Sequence, residues 1–197
     1  MNREDYNNKI ISDAVDVLKN GGVIILPTDT VYGLAINSSS DTAIKKIYKI
    51  KKRNLEKKLP LVVNSYDMLK SICEIDDDQL KRLHTYYPGK LTLILKKKNS
   101  SETVAVRMIN NEIINKIIEN LNSPLMLTSA NISGENISSD ILDILELFDG
   151  QIDMAVIGSK VSNISSTIVE IRDDQLILVR EGAISFKDIE NSFYRGK

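Results

Sequence analysis

Little in this chain suits sulfur, imidazole or membrane chemistry. Its 197 residues include one cysteine, one histidine, four prolines and no tryptophan, and aromatics make up only 5%. A lone Cys73 builds no disulfide framework and fits a reducing compartment, so a cytoplasmic location is expected. With only His84 and Cys73 there is no pair at zinc-ligand spacing. Any metal would be a hard ion held by oxygen, arriving with a substrate phosphate. His84 lies in DDDQLKRLHTYY, an amphipathic helical pattern, and reads as a surface or packing histidine. No apolar run approaches the roughly 20 residues that cross a bilayer, so no membrane contact is expected. The polar, acid-bearing residues 1–8 resemble neither a signal nor a transit peptide. GxxxxGK[ST] and GxGxxG are both missing, which excludes the P-loop and the dinucleotide fingerprint.

What is present is an ordinary globular composition, 42% apolar and 27% charged, long enough for one domain with a full core, residues 1–197. The net charge of −1 is unevenly spread. Residues 45–58 carry Lys45, Lys46, Lys49, Lys51, Lys52, Arg53, Lys57 and Lys58 against Glu56, a net +7, so the rest of the chain carries −8. Such a segment suits a polyanion, and it equally suits a solvated helix face that ends in a charged loop.

Periodicity predicts an opening helix with Ile10, Ile11, Ala14, Val15 and Leu18 on one stripe, ended by Gly21-Gly22. GVIIL, PLVV, LTLIL, TVAVRM, PLMLT, MAVIG, TIVEI and LILVR read as strands. Helices are predicted after Ser40 or Asp41, after Ser65, across NNEIINKIIENL and across SSDILDILELF. Strands mixed with helices, some strands adjacent in sequence, predict an α/β domain on a mixed sheet.

Three segments place polar groups directly after buried strands, where a sheet's edge commonly presents its ligand site. In GVIILPTDTVYGLA, Thr28, Asp29 and Thr30 supply hydroxyls and a carboxylate, or else bond their own local backbone. In KIKKRNLEKKLPLVV, Lys51, Arg53 and Lys57 can converge on one anion if the loop curls, with arginine offering two parallel donors. In PLMLTSANISGE, hydroxyls, an amide and free backbone N–H groups can ring a phosphate, and Asn131 can instead cap a local turn.

Taken together, these segments resemble the YrdC family. PTDTVYGLA is similar to PT-[DE]-T-x-YGLG, and KIKKRNLEKKLPLVV to K-x-R-P-x-x-K-P-L. YPGKLTLIL resembles WPGPLTLIL, TVAVRM resembles VAVRxP, and TSANISG resembles PSANxSG. SSTIVEI and LVREGAI continue the match, so seven motifs fall in register over most of the chain. Departures are Asn54, Lys58, Lys90, Ile109, Thr128 and Glu181 at proline positions, and Asn111 where the family has a histidine. These loosen loop preorganisation but remove no charged catalytic group.

The resemblance implies a twisted mixed β-sheet with surrounding helices and a concave, positively charged groove. It also implies an enzyme making threonylcarbamoyl-AMP and pyrophosphate from L-threonine, bicarbonate and ATP with Mg2+, the first step of a tRNA modification next to the anticodon. Downstream threonylcarbamoyl transferase proteins would be its partners. By matched position, Thr30, Arg107 and Ser166 would hold threonine, with Arg107 on its carboxylate. Lys51, Arg53 and Lys57 would be catalytic, facing phosphates or the bicarbonate-derived group. Arg53, Lys57, Thr103, Ser129, Asn131 and Arg180 would line the ATP site, and Asp29 would orient its loop through local N–H groups. The chain ends about thirteen residues past LVREGAI, as the short form of the family would. The alternative is a non-enzymatic RNA-binding module with weak tRNA contact, although no RNP-like aromatic pair or GXXG clamp is present. A module of hydrogenase maturation factors is a third reading, but the flanking zinc-finger and acylphosphatase-like segments are missing.

Overall fold

The computed structural model describes residues 3–158 and 161–195. Helix α1 (Arg3–Lys19) ends as predicted at Gly21, whose φ of +78° is the left-handed conformation that glycine adopts without cost. Strand β1 (Ile24–Pro27) turns through residues 28–31 into β2 (Tyr32–Asn37). The sequence did not announce β2, because Gly33 and Ala35 are weak strand formers. Its place is fixed from outside: a Cβ on Gly33 would stand 2.6 Å from Leu127 Cδ2 of the neighbouring strand.

Helix α2 (Asp41–Ile50) is capped by Ser40, whose hydroxyl accepts from Ala43 N. There follow β3 (Leu61–Val63), α3 (Tyr66–Ile72) capped by Ser65, and α4 (Asp77–Leu83). His84 is the exposed C-cap of α4. Next come β4 (Leu91–Lys96), β5 (Thr103–Met108), α5 (Glu112–Leu121) and β6 (Leu125–Ser129). The chain continues through α6 (Ile141–Leu147), the two-residue β7 (Met154–Ala155), β8 (Thr167–Arg172), β9 (Gln175–Arg180) and α7 (Phe186–Arg195). Helix α7 was not expected from local pattern either. Its stripe is short, Ile189 and Phe193, and it is held from afar by Arg82, whose guanidinium lies 4.0 Å from the Phe193 ring centroid.

Among the described residues, all nine strands join one mixed sheet in the order β7-β1-β2-β6-β3-β5-β4-β8-β9, with parallel pairs β1·β7, β3·β5 and β4·β8. The two halves are covered differently. Around β1 and β2, helices α1 and α5 bury Leu18, Ile117 and Ile118 against one face, while α2 and α6 bury Ile47 and Ile144 against the other. Strand β1 is therefore apolar throughout and fully buried.

In the other half, α3, α4 and α7 pack Leu69, Leu83 and Phe193 against Leu93, Leu95, Val104, Val106 and Val169. The alternate residues of the same strands, Thr92, Ile94, Ala105, Arg107 and Ile168, line a cavity instead. Among the described residues, no helix is long and apolar enough to cross a membrane.

The cavity wall depends on a tight crossing at Gly182, whose N–H bonds Thr167 Oγ1 at 3.0 Å. A Cβ there would collide with the carbonyl oxygens of Ser165 and Ser166. Gly182→Ala is expected to cost about 2 kcal/mol by overpacking, read as a lower midpoint in urea.

Candidate functional site

The turn after β1 is built by one hydroxyl. Thr28 Oγ1 donates to the Val31 carbonyl at 2.6 Å and accepts from the N–H groups of Thr30 and Val31, both at 3.1 Å. Thr28 thus does the orienting that the sequence suggested for Asp29. The Asp29 carboxylate instead turns inward, its Oδ1 2.5 Å from Arg107 Nη2, and its Oδ2 is buried with no hydrogen-bond partner.

Arg107, near the end of β5 and 7% exposed, is held from three directions. Its Nε donates to the Gly89 carbonyl at 2.9 Å, Nη1 to Thr30 Oγ1 at 2.9 Å, and Nη2 to Asp29. Gly89 sits at φ +148° after the cis Tyr87–Pro88 peptide, a backbone state other residues rarely adopt. A guanidinium has five N–H groups. Among the described residues one on Nη1 and one on Nη2 stay uncommitted, and the residue lines the cavity. Burial lowers the Arg107 pKa, and the Asp29 charge opposes that shift.

The family histidine position is filled usefully. Asn111 caps α5 by accepting from Ile114 N at 3.1 Å, and its Nδ2 donates to the Pro27 carbonyl at 3.3 Å, pinning the end of β1. Ile109 is simply core.

The basic segment divides. Only Arg53 of the three expected cations lines the cavity; its Nε donates to the Lys57 carbonyl at 2.8 Å and Nη2 to that of Lys58 at 3.2 Å. Lys57 is exposed and takes part through its backbone, whereas Lys58, at a proline position of the family, lines the cavity. Lys51 is not part of the cavity lining. It is 1% exposed, and its ammonium donates to Ser129 O at 2.5 Å, Asn131 O at 2.6 Å and Asn131 Oδ1 at 3.3 Å. Burial, then the nearby Arg53 charge, lowers its pKa to about 8. Of Lys51, Arg53 and Lys57, then, the loop brings Arg53 alone to the cavity lining.

The third segment also departs from expectation. The N–H groups of Ala130, Asn131, Ser133 and Glu135 are taken by Tyr32 O, Ser129 O, Lys51 O and Ile132 O. These four do not stand free to ring a phosphate. Ser129 lines the cavity; Asn131 lies behind it. Ser166 lines the opposite wall, its Oγ 2.8 Å from Thr92 Oγ1, and Arg180 donates to the Ser166 carbonyl at 2.8 Å. Burial lowers the Arg180 pKa as well.

Thr103, four residues before Arg107 on β5, lines a separate hollow with Lys96 and Glu170. The structure thus gathers Thr30, Arg53, Arg107, Ser129, Ser166 and Arg180 around one cavity of about 310 Å3 and leaves Lys51, Lys57, Thr103 and Asn131 outside its lining. Thr92 and Lys58 were missed. Alternation along LTLIL could have placed Thr92 on the open face, and nothing local to the sequence singled out Lys58. Among the described residues no group of His, Cys, Asp or Glu could hold a metal ion. Burial pushes the Cys73 thiol up to about 11, so it is no ready nucleophile.

A family-wide sequence model named Sua5/YciO/YrdC and described as telomere recombination matches residues 16–182. A putative threonylcarbamoyl-AMP synthase of Methanocaldococcus jannaschii is 30% identical over 193 residues, 94% of this chain and 92% of that one. The threonylcarbamoyl-AMP synthase of Pyrococcus abyssi is 30% identical over 198 residues, 95% of this chain but 58% of its own length. The crystal structure of P. abyssi Sua5 complexed with L-threonine superposes with a TM-score of 0.84 at 30% identity, covering 92% of this chain and 56% of that one. Escherichia coli YciO gives 0.83 at 25% identity over 92% and 93% of the two chains.

Two outcomes are expected from these buried charges. Asp29→Asn leaves Arg107 without its counter-charge and should cost about 3 kcal/mol in urea unfolding. For Lys51 the folded pKa lies below the ordinary value, so the unfolded chain binds more protons from about pH 8 upward to its own pKa. This group's contribution to stability therefore rises with pH across that window. Melting series for the wild type and Lys51→Met should diverge in that sense between pH 8 and 10.

Proposed function

The chain belongs to the Sua5/YciO/YrdC family, and from that membership and the cavity's geometry we propose that it is a threonylcarbamoyl-AMP synthase, joining L-threonine, bicarbonate and ATP. The observation that carries this reading is the placement in one cavity of Arg107, with two uncommitted N–H groups beside Thr30, and of Arg53 and Arg180 on other walls. Two N–H groups left on one buried guanidinium can donate to a carboxylate. A related structure of the same fold was crystallised with L-threonine, the amino acid such groups would hold.

In this reaction the amine of threonine attacks the bicarbonate-derived carbon, and water leaves to give a carbamate. A carbamate oxygen then attacks the α-phosphorus of ATP, and the bond to the β-phosphate oxygen breaks to release pyrophosphate. Nucleophile and triphosphate are both anionic, so their repulsion is a main barrier. Arg53 and Arg180 offset it from the cavity lining, and ATP enters as its magnesium complex. No covalent intermediate is needed, in keeping with the shielded Cys73. Ser166 and Thr92 form a buried hydroxyl pair suited to the amino acid's polar groups. The product would pass to threonylcarbamoyl transferase proteins in the cytoplasm, where the modified tRNA is made.

Exchange of labelled pyrophosphate into ATP should require both threonine and bicarbonate. Arg53→Ala should lower it about a hundredfold, the loss of ~3 kcal/mol of transition-state stabilisation. Lys46, paired with Asp153 at 2.6 Å on the surface, should tolerate alanine. Exchange without threonine, or near-normal rates in Arg53→Ala, would overturn the reading.

A further inference from the structure

The SANISG turn looks from its sequence like a cradle for phosphate, yet the protons next to Ser129 are turned into the protein. Lysine has three ammonium protons, and Lys51 donates to Ser129 O, Asn131 O and Asn131 Oδ1 while 1% exposed. None remains for an anion. The Lys51 carbonyl accepts from Ser133 N at 2.9 Å, so this one residue holds the turn at both ends.

Asn131 is oriented without ambiguity, since its Nδ2 donates to the Glu135 carbonyl at 2.7 Å. Its Oδ1 therefore faces both Lys51 and Ser129 Oγ, which stands 2.6 Å away and must be the donor. The only proton of the Ser129 hydroxyl is thereby spent. The N–H groups of Ala130, Asn131, Ser133 and Glu135 are spent as well. Ser129 lines the cavity, and with its proton spent its hydroxyl has only lone pairs to offer, which repel a phosphate oxygen and attract a donor.

We propose that Lys51 is a positioning residue that touches no substrate: through Asn131 it fixes Ser129 as a pure acceptor on the cavity wall, so that Ser129 binds a hydroxyl or amine of the ligands and not a phosphate. Phosphate recognition then falls to Arg53 and the other cations of the cavity lining. This deepens the synthase reading and relies on it only for the identity of the ligands.

The test uses the whole protein and calorimetric titration without magnesium. Inorganic tripolyphosphate at pH 7, where the Lys51 ammonium is intact, should bind Ser129→Ala within about twofold of the wild type, while Arg53→Ala loses about tenfold or more. ATP or threonine should bind Ser129→Ala about fivefold more weakly, the cost of one hydrogen bond. The deficit should vanish with 2′,3′-dideoxy-ATP if the donor is a ribose hydroxyl, and it should appear with threonine if the donor is the amino acid's. Ligand-free melts test the strut itself. Lys51→Met should melt several degrees lower, and Lys51→Met/Asn131→Ala no lower than the worse single variant, because both remove one network.

Three results would overturn the proposal. Ser129→Ala could weaken tripolyphosphate as much as ATP, or weaken neither ATP nor threonine. Lys51→Met could keep its melting temperature while losing tripolyphosphate affinity, as a direct anion ligand would. If Lys51→Met does not fold, the strut is upheld and the Ser129→Ala titrations still decide the polarity. None of these measurements needs turnover, so a failed exchange assay would count against the synthase reading alone.

Discussion

A guanidinium taken out of water must be met by acceptors, or its burial costs several kcal/mol. Arg107 meets that demand with groups from two separate stretches of chain: Asp29 and Thr30 in the turn after β1, and the Gly89 carbonyl before β4. The turn must be rigid for Asp29 and Thr30 to be in place, and Thr28 makes it so with a fully used hydroxyl. The end of β1 must not drift, and Asn111 ties it to the start of α5. Each of the Arg107 and Asn111 ties to β1 joins segments far apart in sequence, so the site forms only when the sheet does. Fold and recognition are coupled through one buried charge.

The sheet supplies the second constraint. Where helices cover both faces, as around β1, every side chain is apolar and none is available for chemistry. Where they cover one face only, period-two alternation sends every other residue of β4, β5 and β8 into a common floor. The cavity sits at the junction of the two halves, so polar residues from the strand ends of one half reach the floor of the other. Thr103 shows the limit of this rule. It lies on the same face as Arg107, but four residues of extended chain, roughly 13 Å, carry it into a different hollow.

Much was legible without coordinates. Strong periodicity gave α1, α2 and α5, apolar runs gave β1, β3, β4, β5, β6, β8 and β9, and serine caps fixed two helix starts. The mixed α/β sheet, the family, and the six residues that meet at the cavity were all available from spacing and motif. Local signals failed where an element owes its existence to distant partners. Strand β2 is a strand because β1 and β6 flank it, and α7 is docked because Arg82 and its neighbours receive Phe193. What only the tertiary structure decided is the job of each polar group. A sequence shows that Lys51, Asn131 and Asp29 carry charge or hydrogen-bonding capacity, but not how much is already spent inside the protein. Lys51 has given all three protons to the turn beside it, the Asn131 side-chain oxygen already accepts from Lys51 and Ser129, and Asp29 faces an arginine rather than its own backbone. Residue type sets how many hydrogen bonds a side chain can make; only the packed fold determines how many are left for a ligand.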